Sequence, residues 1–184
     1  LPVLNAVYAN NEKCKEAVRS FRAVSEHLDE KIINVFGKSV DADIVLYISL
    51  CNGAGWVTKI REKTTVLLGI EKITELDWCS KDDMNGLIIH ELGHVYQSQY
   101  GNLYHKDKSP AEKFLWQLFT EGVAMVFEQK IIGNDGYYHQ DRNGWKDWCD
   151  RNYEVIKNSF CRDLETMTQE NQRYFGDWVR FEGH

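Results

Sequence analysis

His90, Glu91 and His94, within Ile89-His90-Glu91-Leu92-Gly93-His94-Val95, are the residues whose types and spacing most directly imply chemistry. On a helix, residues four apart lie on one face, one turn above the other. His90 and His94 can therefore aim two imidazoles at a single ion, and neutral imidazole is a good zinc ligand. Glu91 is turned about 100° from His90 on the same helix. That places it beside an ion and near a bound water without making it a ligand. The segment thus offers two metal ligands and a general base. Gly93 adds to this. Glycine inside a helix costs up to about 1 kcal/mol against alanine, which is easier to explain if something approaches the helix closely there.

A catalytic zinc keeps three protein ligands and a water. The pattern with a third histidine, HExxHxxGxxH, fails here, because Gln97 and Tyr100 stand where Gly and His are needed. His105 falls in an expected loop and reads as a surface residue. Three glutamates follow: Glu112, Glu121 and Glu128. Glu112 has a local role, since Ser109-Pro110-Ala111-Glu112 is a capping box with proline at the first helical position. Glu128 precedes Gln129-Lys130 near a helix end and reads as solvated. Glu121 falls beside Phe114, Leu118 and Met125, on the edge of the apolar face. A lone buried carboxylate is costly, and a bound cation removes that cost. The alternative is an ion pair with a Lys or Arg.

These residues need elements to hold them. Apolar residues recur at helical spacing over residues 11–36 (Ala17, Val18, Phe21, Val24, Leu28, Ile32, Val35, Phe36), and Gly37 is a stop. Residues 43–50, 55–60 and 64–70 read as strands, with a turn over 51–55. Ser80-Lys81-Asp82-Asp83 caps a helix carrying Met84, Leu87, Ile88, Leu92, Val95 and Tyr96, closed by Gly101. The motif therefore lies in mid-helix. A second helix starts at Ser109 and runs through Phe114, Leu115, Leu118, Phe119, Val123 and Val126 to Ile132, before Gly133 and the Asn134-Asp135-Gly136 turn. Residues 137–184 are aromatic-rich and read as helical in pieces. The expectation is an α+β chain forming one domain: a helix and small mixed sheet over 1–75, then a mainly helical part over 76–184 that carries the site.

This arrangement resembles zinc peptidases of the gluzincin type, which place HExxH on one helix and a glutamate ligand on the next. Phe119-Thr120-Glu121-Gly122-Val123-Ala124 is similar to their Glu-Gly-x-Ala segment. HELGHVYQ, TEGVAMVFEQ and Arg173-Tyr174-Phe175-Gly176-Asp177-Trp178 together resemble an uncharacterised bacterial family of predicted zinc-dependent proteases, from Val45 onward. The resemblance implies a zincin-like fold, zinc held by His90, His94 and Glu121, and Glu91 as base. It also implies a peptide or protein substrate laid along an edge strand. Residues 64–71, just before the metal helix, are the expected strand.

Three departures qualify it. The interval from His94 to Glu121 is longer than in the best-known gluzincins, so Glu112 stays the runner-up ligand. Met125 stands where an Asp often follows the ligand glutamate by four, so a partner for a ligand histidine must come from elsewhere. The similar family continues past Phe-Gly-Asp-Trp into a Tyr-rich segment, whereas this chain ends at His184. A truncated C-terminus is expected, with the oxyanion-steadying tyrosine missing or supplied by Tyr137, Tyr138 or Tyr174.

Two other readings keep the metal. One is a catalytically silent metal-binding module on the same scaffold. The other is a deformylase-like zinc amidase with Cys51 as an upstream ligand, although Asn52-Gly53 differs from the deformylase segment. Zinc follows from ligand type, and manganese, cobalt or iron occupy similar sites. His27, His139 and His184 read as surface or satisfied histidines.

Composition excludes several classes. The net charge is −6 with no Lys/Arg run, which argues against nucleic acid. No run approaches the roughly 18 apolar residues of a membrane span. Hydrophobic residues make up 43% and prolines number 2, as in a globular chain without linkers. The five cysteines form no CxxC pair, so reduced thiols and a cytoplasmic location are expected. A start at Leu1-Pro2 fits a trimmed or processed chain.

Overall fold

Three helices open the chain: α1 (Pro2–Ala9), α2 (Asn11–Ser25) and α3 (Leu28–Phe36). The computed structural model describes residues 2–50, 53–103, 109–176 and 180–181. Cys51, His105, Asp177, Trp178 and His184 lie outside them, and with them the readings placed on those residues. Periodicity reads 11–36 as one helix, but the backbone breaks at Glu26-His27, where His27 takes φ −134°. No glycine or proline marks the break. The buried positions Val24, Leu28 and Ile32 continue in step across it, so hydrophobic spacing cannot reveal it. Gly37 ends α3 at φ 70°, its N–H donating to the Ile33 carbonyl at 2.7 Å.

The sheet has strands β1 (Asp43–Tyr47), β2 (Gly55–Ile60) and β3 (Lys63–Gly69), in the order β1-β3-β2. β3 pairs parallel with β1, from Asp43 opposite Thr65 to Tyr47 opposite Gly69. It pairs antiparallel with β2, from Gly55 opposite Leu68 to Ile60 opposite Lys63. The expected edge strand over 64–71 is thus corrected. Residues 63–69 form the central strand, and both its hydrogen-bonding edges are occupied. A strand buried in this way reads as a continuous apolar run, here Val66-Leu67-Leu68, and nothing local in such a run states its place in the sheet. The edge strand that packs against the HExxH helix is β2.

Helix α4 (Ile70–Glu75) follows β3 directly and precedes the motif helix along the chain. Its buried Glu71 accepts the Ser49 N–H at 3.0 Å and the Ser49 hydroxyl at 2.9 Å, fixing the chain beyond β1. Helix α5 (Lys81–Tyr100) starts at the expected cap, where Asp83 N–H donates to Ser80 Oγ at 3.2 Å. Helix α6 (Pro110–Ile132) starts with the expected reciprocal box. Glu112 N–H reaches Ser109 Oγ at 3.2 Å, and Ser109 N–H reaches the Glu112 carboxylate at 2.9 Å. Two short helices, α7 (Trp145–Arg151) and α8 (Tyr153–Asp163), complete an α+β architecture with helices before and after a small mixed sheet. No helix among the described residues is long and apolar enough to cross a membrane.

The chain divides into two compact units, Leu1–Leu103 with Gly122–His139 and Tyr104–Glu121 with Gln140–His184. The first has a core of Ala17, Ile32, Val66, Leu68, Ile73, Met84, Ile88 and Val95. The second is smaller, with Phe114, Phe160 and Met167 covered by Leu164, Tyr174 and Phe175. The apolar face expected of α6 is partly wrong. Leu115, Leu118, Phe119 and Val126 are exposed, and the buried positions include Ala124, Phe127 and Glu128.

Candidate metal centre

α5 is buried on nearly every side between Met84 and Val95, with His90 and Glu91 both enclosed and His94 half-buried. Gly93 explains how α6 comes so near. A Cβ at Gly93 would lie 3.0 Å from Ala124 Cα and 3.2 Å from Phe127 Cβ. The close approach anticipated at this glycine is that of another helix. α6 is unbroken across residues 121–124, so it carries Glu121 one turn before Ala124. Ligand atoms of His90, His94 and Glu121 all lie within 4.8 Å of one another. Two imidazoles and a carboxylate form a donor set that suits catalytic zinc, which keeps one further position open. Glu112 stays in its capping box and belongs to neither metal-capable group.

Glu91 occupies a slot made by the start of β2. A Cβ on Gly55 would lie 2.6 Å from Glu91 Oε1 and 2.9 Å from Glu91 Cγ. The carboxylate can rest there because this strand residue has no side chain.

Glu128 corrects the solvated reading given to it, for it is 1% exposed. Its Oε1 lies 2.9 Å and its Oε2 3.1 Å from His139 Nδ1. Oε2 also lies 3.5 Å from His90 Nδ1. Burial pushes the Glu128 carboxyl up. The hydrogen bonds and charge of His139 and His90 outweigh burial, and the group sits below its ordinary range. His139 is enclosed as well, with Trp78 edge-on to its ring at 5.5 Å. A Cβ on Gly86 would strike His139 Cβ and lie 3.0 Å from Glu128 Oε1. His90, Glu128 and His139 thus form a second buried group with ligand atoms within 4.8 Å of one another.

Sequence reasoning missed this group. Gln129-Lys130 made Glu128 look solvent-facing, and His139 lies in the return after α6. One signal was available: Glu128 follows Glu121 by two helical turns and so shares its face.

Of the candidate oxyanion tyrosines, Tyr174 donates its hydroxyl to Asp163 Oδ2 at 2.8 Å, within the second unit. Tyr137 donates to the Asp82 carbonyl at 3.4 Å. Comparison with known protein families, with curated proteins and with solved structures finds no match to this chain.

Proposed function

We propose that this chain is a zinc-dependent peptide hydrolase with a zincin-like centre. The observation that carries the reading is the convergence of His90 and His94 from α5 with Glu121 from α6, beside a buried Glu91. When bound, zinc would lower the pKa of its water toward about 7 and polarise the scissile carbonyl. His90 and His94 would hold the ion through imidazole nitrogens, and Glu121 would bring compensating charge. Glu91, held in the slot at Gly55, takes the proton of the attacking water on its carboxylate and passes it to the leaving amine. β2 offers the strand edge for an extended peptide, since it is an edge strand and its first residue lies against Glu91. The free thiols Cys14, Cys79, Cys149 and Cys161 support a reducing compartment.

Glu91→Gln tests the base. The variant should retain zinc and lose at least about 100-fold in turnover on a broad peptide library. Cleavage at the parent rate would remove Glu91 from the mechanism. A parent chain that holds stoichiometric zinc and cleaves nothing in the library would instead be a silent metal-binding module.

A further inference from the structure

We infer that Glu128 and His139 are positioning residues for His90, a carboxylate–histidine anchor that touches neither ion nor substrate. The inference rests on the metal reading of His90, His94 and Glu121. A ligand histidine works when its second nitrogen donates to an acceptor, because that bond fixes both tautomer and ring direction. His90 Nδ1 faces Glu128 Oε2 at 3.5 Å, an ion-pair distance that a small rotation of the ring would shorten to a hydrogen bond, and this orientation leaves Nε2 for the ion. Glu128 lies one turn beyond Met125 on α6, the helix that also carries Glu121.

An enclosed carboxylate needs donors, and His139 provides one. Its Nδ1 lies within 3.1 Å of both Glu128 oxygens. Its other nitrogen, Nε2, is buried with no hydrogen-bond partner among the described residues. An apolar side chain would fill the same space without leaving a polar atom bare. The imidazole is therefore retained for its Nδ1–H. The helix accommodates it at a cost in propensity, since Gly86 must lack a side chain for His139 to fit. The separations of 2.9 and 3.1 Å between His139 Nδ1 and the carboxylate are hydrogen-bond lengths, as a donor to Glu128 requires.

Zinc affinity, measured by competition with a chromophoric chelator, tests the anchor independently of activity. Zinc per chain at saturation and circular dichroism complete the measurement. His139→Asn keeps a donor near the Nδ1 position, His139→Leu fills the space without one, and Glu128→Gln removes the charge while keeping the shape. The parent should bind one zinc. His139→Leu and Glu128→Gln should each bind about 10–100-fold more weakly, with His139→Asn within about threefold of the parent. Equal loss in the Asn and Leu variants would make the role one of packing and overturn the inference. Unchanged affinity in Glu128→Gln would overturn it too, and serves if the Leu variant fails to fold. Two zincs per parent chain would place an ion in the His90, Glu128 and His139 group, again against it. A parent that takes up no zinc would sink the metal reading and the inference together, whereas the other failures leave the metal reading standing.

Discussion

Glu91 lies so close to Gly55 that a methyl group cannot be added at the start of β2 without moving the carboxylate. The end of a glutamate side chain can swing, so Gly55→Ala should fold. On the proposed role of Glu91 the base would then act from the wrong place, and displacements near 1 Å cost about 100-fold in rate. We expect Gly55→Ala to keep its zinc and lose about 10–100-fold in kcat, read by metal analysis beside peptide turnover. An unchanged kcat would mean that Glu91 does not act from the slot seen here. At this scale the sequence was informative where a rule is local. The i, i+4 spacing of His90 and His94 follows from helix geometry alone, whereas Glu121 was singled out beside an apolar face that α6 only partly keeps, and its role came from the resemblance. Glu128 and His139 did not follow, because their burial depends on a chain reversal after Gly133 and on the bare surface of Gly86. No neighbouring residue announces either.

Among the elements, the β2–β3 hairpin is an expected pair of strands joined by an unexpected turn. Its two loop residues, Arg61 and Glu62, take φ 49° and 65°. Two-residue hairpin turns of this hand favour Asn-Gly, and left-handed backbone costs an ordinary residue roughly 1–2 kcal/mol. Arg61→Asn combined with Glu62→Gly should stabilise the fold by about 1 kcal/mol, a rise of about 2–4 °C in Tm. A calorimetric scan checks it, and no rise would mean that contacts of the native pair compensate. Strand positions were legible because apolar and β-branched runs are local. Strand order was not, since the register of β3 between β1 and β2 is a long-range choice. α4 was hidden for a related reason: its first residue, Ile70, continues the apolar texture of the strand before it. The capped starts of α5 and α6 were legible because a cap is written in four consecutive residues.

Across the whole molecule, four described carboxylates sit below their ordinary values, Glu12 and Glu128 in the first unit and Asp163 and Glu170 in the second, and in each unit one of them is held by a side chain 11 positions away. In the first it is Glu128. In the second it is Asp163, held down chiefly by the Tyr174 hydroxyl, with Arg162 and Arg173 adding to it. A depressed folded pKa stabilises the fold above the unfolded value, and that contribution is lost as pH falls through the folded one. The ordinary values are 4.5 for Glu128 and 3.8 for Asp163. Neither group should tilt the urea midpoint near neutral pH, and both should lower it in acid below those values. Glu128→Gln and Asp163→Asn should each flatten part of that acid slope, and a slope unchanged in both would refute the assignment. The enclosure of α5 has a further consequence for how order is distributed in time. His90 and Glu91 lie within a helix whose flanks are closed from Met84 to Val95, so their rotamers are settled when the core forms. The conformational entropy of gathering these groups is spent during folding and not at ion capture. On the proposed metal reading, an ion would find His90 and Glu91 already shaped, and that part of its binding free energy would appear as affinity instead of being consumed in building the fold.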